Sequence, residues 1–237
     1  MALNTNLKKK LNLRIEKEEM DDFVSRVGFA CDVSGSMSRL YGSGYMSNLN
    51  EILLPLAVEF DDNREMDMVG FNSDILGLPP MDESNYVKYV DNELIGQIGG
   101  GTDYHPPLTH FVENWFDEYK TKDPESFFAK IFSPKQPPYV PQNKQVPGYI
   151  IFQSDGQLSD YNKTWNTLKF INKNLNCFIT FIGIGSQDDF AIFDKATKEF
   201  DNVNSFYLTG RETEIDSDAL YDSLVNDKVR NFFFKGE

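Results

Sequence analysis

Apolar residues along this chain follow two alternating rhythms. Short, nearly unbroken runs read as buried strands: "RVGFACDV", "MDMVGF", "GYIIFQSDG", "CFITFIGIG" and "SFYLTG". "DILGLPP" predicts a short edge strand stopped by its two prolines. Between these runs the apolar positions return every three or four residues. Leu7, Leu11 and Ile15 mark a helix over 5–19, and Leu49, Ile52, Leu53, Leu56 and Phe60 mark the next. Pro55 inside the second removes a hydrogen bond and clashes with the preceding turn, which predicts a kink or a restart. Ser84 is expected to cap a short helix through Tyr86, Val90 and Leu94. Leu108, Phe111, Val112, Trp115 and Tyr119 form another, with Pro106 and Pro107 in its first turn, where missing N–H groups cost little. Trp165, Leu168, Ile171 and Leu175 define a further helix. One more is expected to be capped by Ser186, with Asp189 three positions on, and to bury Phe190, Phe193 and Phe200. The last lies near 217–229.

Strands alternating with amphipathic helices predict an α/β fold: a doubly wound, mostly parallel six-stranded sheet covered on both faces. The rhythm fails over 122–147, where Pro124, Pro134, Pro137, Pro138, Pro141 and Pro147 are too dense for extended regular structure and predict a surface insertion, with room for a short helix around Phe127–Ile131. Residues 1–24 read as an N-terminal helical arm and 25–237 as one domain.

Polar side chains at the ends of two strands change the picture from fold to chemistry. Ligands of such sheets bind beyond the carboxyl ends of the strands, where the strand order reverses. If the order is 3-2-1-4-5-6, the first strand and the "GYIIFQSD" strand meet there. Adjacent strands lie about 4.8 Å apart, so Asp32 and Asp155 can reach one small cation; without it they repel. Ser34 and Ser36 add two hydroxyls, and "GGGTD" supplies Thr102 behind three glycines that permit close backbone approach. Mg²⁺ favours about six such oxygens. Asp and Ser at a strand end also commonly do no more than cap the next turn.

Charge and composition narrow the function further. Of 237 residues, 40% are hydrophobic and 14% aromatic, enough for a sizeable core. The balance of 23 basic and 37 acidic residues gives −14, which disfavours nucleic acid and anionic membranes and attracts cations. An acidic surface is also the ordinary route to solubility. Cys31 and Cys177 sit in or beside apolar runs and read as reduced, buried thiols. No apolar run approaches the roughly 20 residues that span a bilayer, and the charged N-terminus lacks a signal core. The expectation is a cytoplasmic protein without membrane insertion.

"DVSGS", "GGGTD" and "IIFQSDG", each after the right strand, resemble the metal-ion-dependent adhesion site of von Willebrand factor A (VWA) domains, and the resemblance spans roughly residues 25–230. "DVSGSMSRLYGSG" with "LLPLAVEFDDN" and "GLPPMDESNYVKYV" is more particularly similar to the VWA proteins of bacterial tellurium resistance and general stress, which also occur in phages. The resemblance implies that Asp32, Ser34 and Ser36 form a first metal-ligand loop, Thr102 a second and Asp155 a third. It implies Mg²⁺, with Mn²⁺ or Ca²⁺ as substitutes, and a protein partner whose Asp or Glu carboxylate completes the coordination. Most such domains catalyse nothing. Ser154 stands where the third motif often has threonine.

Other candidates carry less. Asp103 reads as the cap of the helix starting at Pro106. His105 lies beside the proposed site and can donate to a partner carboxylate, but two histidines without Cys/His spacing exclude a typical zinc site. "DDNREMD" lacks the glycine and closing glutamate of a calcium loop and reads as a helix-to-strand turn. The alternative function is a metal-dependent phosphotransferase of haloacid-dehalogenase type, with Asp32 as nucleophile. Ser34 then occupies the position of its acid/base, so the proton-transfer group is missing. A scaffold with a purely structural ion is a third reading.

Overall fold

The computed structural model describes residues 3–116, 146–156 and 158–234. Six strands form one sheet: β1 (Arg26–Asp32), β2 (Asp67–Phe71), β3 (Ile75–Gly77), β4 (Gly148–Ser154), β5 (Cys177–Ile184) and β6 (Val203–Leu208). Their order is β3-β2-β1-β4-β5-β6, all parallel except the antiparallel edge strand β3. The chain therefore winds outward from β1 in one direction and then, from β4, in the other. The switch point lies between β1 and β4, whose register sets Cys31 beside Gln153.

Eight α-helices cover this sheet among the described residues: α1 (Thr5–Lys17), α2 (Ser38–Gly42), α3 (Tyr45–Phe60), α4 (His105–Trp115), α5 (Tyr161–Asn174), α6 (Ala191–Glu199), α7 (Ser217–Leu224) and α8 (Asp227–Phe233). Side chains alternate across the sheet. Tyr149 and Ile151 of β4 join the core with Leu11, Leu53 and Leu220, while Ile150 and Phe152 join the one with Phe111, Leu168 and Phe193. Every residue of β4 and β5 is buried because both faces are covered, which is why those strands read as unbroken apolar runs. Each fully buried large side chain contributes about 1.5–3 kcal/mol. α1 lies on α3 and α7, burying Leu11 and Ile15 and pairing Lys8 with Glu59 and Lys10 with Asp218.

Several local expectations are corrected. α3 runs unbroken through Pro55, whose ring is buried in the core, so the proline neither ends nor restarts the helix. The short helix after β3 is three irregular pieces, 3-10 turns at Tyr86–Lys88 and Ile95–Gln97 on either side of a π-helical turn at Val90–Leu94. Its entry is held by Asp82, which accepts from the backbone N–H groups of Ser84 and Asn85; Ser84 instead donates its own hydroxyl to Asp82. Ser186 makes no side-chain cap; its carbonyl accepts from Asp189 N. The final helix is two, because the Asn226 side chain accepts from Lys228 N and Val229 N and starts a new one. α4 ends at Trp115, and Tyr119 lies outside the described residues, as does the 122–147 insertion apart from Val146 and Pro147.

Candidate functional site

The site is built from the ends of β1 and β4. Asp32 closes β1 with no exposure, and its Oδ1 accepts the backbone N–H of Ser34 at 2.7 Å. That bond turns the chain out of the sheet into the tight turn Gly35–Met37. Behind it, Tyr41 of α2 donates its hydroxyl to the Asp32 carbonyl at 2.9 Å.

The other oxygen of Asp32 faces β4. Ser154 Oγ donates to Asp32 Oδ2 at 2.6 Å, and the hydroxyl of Tyr104 lies 2.8 Å from Ser154 Oγ and 2.5 Å from the Gly156 carbonyl. Tyr104 is held among the rings of Phe71, Phe152 and Phe193. On the outer side a second series of hydroxyls runs to the other acid. Ser34 Oγ is 3.0 Å from Ser36 Oγ, which donates to Asp155 Oδ1 at 2.9 Å. Asp32, Ser34, Ser36 and Asp155, 123 positions apart at the extremes of the sequence, therefore share one hydrogen-bonded crevice.

A glycine loop forms the third wall. Gly99 N donates to the Val33 carbonyl at 2.8 Å, and Gly35 N reaches the Gly100 carbonyl at 3.4 Å. Gly100 has φ +80°, and a Cβ there would sit 3.2 Å from Asn72. Asn72 fixes the loop from outside: its Nδ2 donates to Gly99 O at 2.9 Å, and its carbonyl accepts Asp103 N at 2.8 Å. Thr102 follows, half-buried, with its carbonyl accepting from Ser159 N and Oγ. Its hydroxyl has no hydrogen-bond partner among the described residues.

Burial sets the electrostatics. It raises the Asp32 carboxyl to about 6, partly offset by the bonds from Ser154 and Ser34 and reinforced by the charge of Asp155. Burial also raises Asp155, partly offset by Ser36. Two carboxylates are thus brought together where ionisation is costly.

Asp103 does not cap α4. The Asp160 carboxylate does, accepting Tyr104 N at 3.0 Å and His105 N at 2.8 Å. His105 turns towards α5, its Nδ1 2.7 Å from Thr167 Oγ1. Sequence reasoning missed Tyr41, Asn72 and Tyr104. Tyr104 carried the one usable signal, a polar-tipped ring two residues after Thr102.

A hard divalent cation suits this donor set: two carboxylates, two serine hydroxyls beside them, and the unpartnered Thr102 hydroxyl on the adjoining loop. A site relying on three or more His, Cys, Asp or Glu side chains is absent among the described residues. The oxygens beyond the two acids would be hydroxyls and water.

Known proteins share this architecture. The structure aligns with proximal thread matrix protein 1 from the mussel byssus at TM-score 0.56 and 13% identity, covering 89% of this chain and 47% of that one. A second structure of that protein, described as having a zinc-occupied MIDAS motif, aligns equally well over 86% and 47%. A von Willebrand factor type A protein from Catenulispora acidiphila gives 0.52 at 12% identity, covering 87% and 43%. The chain spans about half the length of these structures, and the likeness establishes the VWA fold. A relative in sequence, the uncharacterized protein YcbR of Bacillus subtilis (strain 168), is 26% identical over 225 residues, 92% of this chain and 82% of the relative. The profile of the vWA-TerF-like family, "vWA found in TerF C terminus", matches residues 24–230, and the chain belongs to that family.

Proposed function

We propose that this chain is a divalent-cation-dependent protein-binding module, with Asp32, Ser34, Ser36, Thr102 and Asp155 as the ligands of one ion. The carrying observation is the hydrogen-bonded crevice in which Ser34 and Ser36 link the acids of two neighbouring strand ends. Mg²⁺ is the proposed ion, since it prefers hard oxygens and keeps several waters, with Mn²⁺ or Ca²⁺ as substitutes. An open position on such an ion favours an anionic oxygen, so the partner supplies an Asp or Glu carboxylate. The zinc-occupied MIDAS motif of the mussel protein supports a divalent ion in this fold.

The module is proposed to be cytoplasmic and to work without catalysis or nucleic acid. Among the described residues no helix is long and apolar enough to cross a membrane. Kinship with TerF supports a tellurium-resistance or stress-related setting, phage-encoded systems included. Residues 1–24 serve as an arm and 25–237 as the binding domain. No observation favours the phosphotransferase reading, since position 34 is a serine engaged with Ser36.

A pull-down from native lysate tests this, run in Mg²⁺ and in EDTA with wild type and Asp155→Ala. Capture is expected only for wild type in Mg²⁺. Capture that persists in EDTA and in the variant overturns the proposal.

A further inference from the structure

We propose that Arg39 is a second recognition point beside the ion, so that the partner is an acidic segment presenting one carboxylate to the cation and another to the Arg39 guanidinium. The inference rests on the cation-site reading above and adds the chemistry of the partner.

Arg39 lies three residues beyond Ser36, in α2, with its side chain exposed. Its Nη2 donates to the Gly210 carbonyl at 3.0 Å, just past the end of β6. Gly210 has φ +68°, and a Cβ there would sit 2.7 Å from Ile184, 3.2 Å from Leu40 and 3.5 Å from Arg39 Nη2. The glycine therefore lets the guanidinium rest against the loop, which fixes one end of the fork and leaves its other N–H groups without a hydrogen-bond partner among the described residues.

Arg39 makes no ion pair with an acid among the described residues. The charge of Arg39 favours the ionised form of Asp155, yet the two make no ion pair. Glu212 is committed elsewhere, accepting from Thr209 N at 2.6 Å, Arg211 N at 3.0 Å and the Tyr45 hydroxyl at 3.0 Å.

A fixed positive charge beside a cation site works against the ion, because like charges repel. It works for whatever anion the ion attracts. On a chain of net charge −14 an acidic partner is repelled overall, and a divalent ion with an adjacent guanidinium makes a local exception. Because Arg39 is tied to Gly210 and not to Asp155, it is offset from the ion's own ligands. A second carboxylate on the same segment reaches it.

The test uses two immobilised Gly/Ser peptides, one with a single glutamate and one with two glutamates a residue apart. Binding is measured by interferometry in Mg²⁺ and in EDTA for wild type, Arg39→Gln, Arg39→Lys and Asp155→Ala, and Mg²⁺ affinity separately by calorimetry. Wild type is expected to bind the doubly acidic peptide about tenfold more tightly in Mg²⁺. Arg39→Gln should erase that preference while Mg²⁺ affinity stays equal or rises, and Arg39→Lys should restore part of it. The inference is overturned if wild type shows no Mg²⁺-dependent preference, if Arg39→Gln keeps it, or if Arg39→Gln weakens Mg²⁺ binding. Absence of Mg²⁺ binding by wild type in calorimetry overturns the cation reading itself and is distinct from these.

Discussion

Ser154 Oγ stands 2.6 Å from Asp32 Oδ2, so the hydroxyl that closes β4 holds the carboxylate that closes β1. The Asp32 carboxylate can only accept, which fixes the direction in which Ser154 donates, while the single Tyr104 proton faces both Ser154 Oγ at 2.8 Å and the Gly156 carbonyl at 2.5 Å. Ser154 and Asp32 are fully buried, and a buried acceptor stripped of its donor costs about 1–3 kcal/mol. Ser154→Ala should lower the urea midpoint by an amount in that range and weaken Mg²⁺ binding measured by calorimetry. Ser154→Thr keeps the hydroxyl and should retain the affinity. Equal losses in both variants would mean that volume, and not the hydrogen bond, matters at this position.

Asp32→Asn separates charge from geometry. In chelator, Asp32 carries the cost of a buried charge near Asp155. The amide removes that charge, and its NH₂ can donate to Ser154 Oγ in place of accepting from it. Stability at pH 8 in EDTA should therefore change by less than about 1 kcal/mol or rise. Addition of Mg²⁺ at about 100 times its Kd stabilises a binding-competent fold by about 2.7 kcal/mol. Wild type should show that shift in thermal melts and Asp32→Asn should not. An unimpaired Mg²⁺ shift in the variant excludes Asp32 as a ligand.

Much of this was legible because it follows from local periodicity. β1, β4 and β5 are bounded by polar residues and buried on both faces, so their runs were readable without the fold. Asp32 and Asp155 could be brought together once the strand order was supposed, since each directly ends or follows its strand. The misreadings are cases where a distant group supplied what a local one was expected to give. α4 is capped by Asp160, from beyond β4, and not by Asp103. Asn72 reaches the site from a position that no spacing rule links to it, and Tyr104, two residues after Thr102, acts across the sheet on Ser154 and not on its own loop. Pro55 passed through its helix because packing around α3 outweighed a local propensity.

In chelator, the pH dependence of stability should come from Asp32 in the crevice together with two acids at the opposite end of the strands, Asp61 and Asp67. Asp61 accepts from Val27 N at 2.6 Å and Asn63 N at 3.0 Å, yet burial raises it to about 7. Asp67 accepts from Trp115 Nε1 at 2.9 Å, and burial raises it to about 6. All three release protons near pH 4 when unfolded, so between about pH 4 and 7 the native state binds more protons. Stability should fall as pH rises through that window. Urea unfolding in EDTA should give a higher free energy at pH 5.5 than at pH 8, and a rise instead would show these acids to be stably ionised in the fold.

Gly28 tests how closely α4 lies on β1. A Cβ at this position would sit 2.6 Å from Phe111 and 2.7 Å from Trp115, both ring atoms of α4. The clash is with buried rings, and Trp115 is further held by its bond to Asp67, so neither can swing aside into solvent. Overpacking of this kind costs about 1–3 kcal/mol. Gly28→Ala should lower the urea midpoint without changing the slope, because the surface exposed on unfolding is unaltered. α4 begins three residues after Thr102, so a displaced helix should also disturb the glycine loop. Mg²⁺ affinity should then fall in this variant, although residue 28 lies at the far end of β1 from the crevice; an unchanged affinity would show that the loop is anchored by Asn72 and Ser159 independently of the helix.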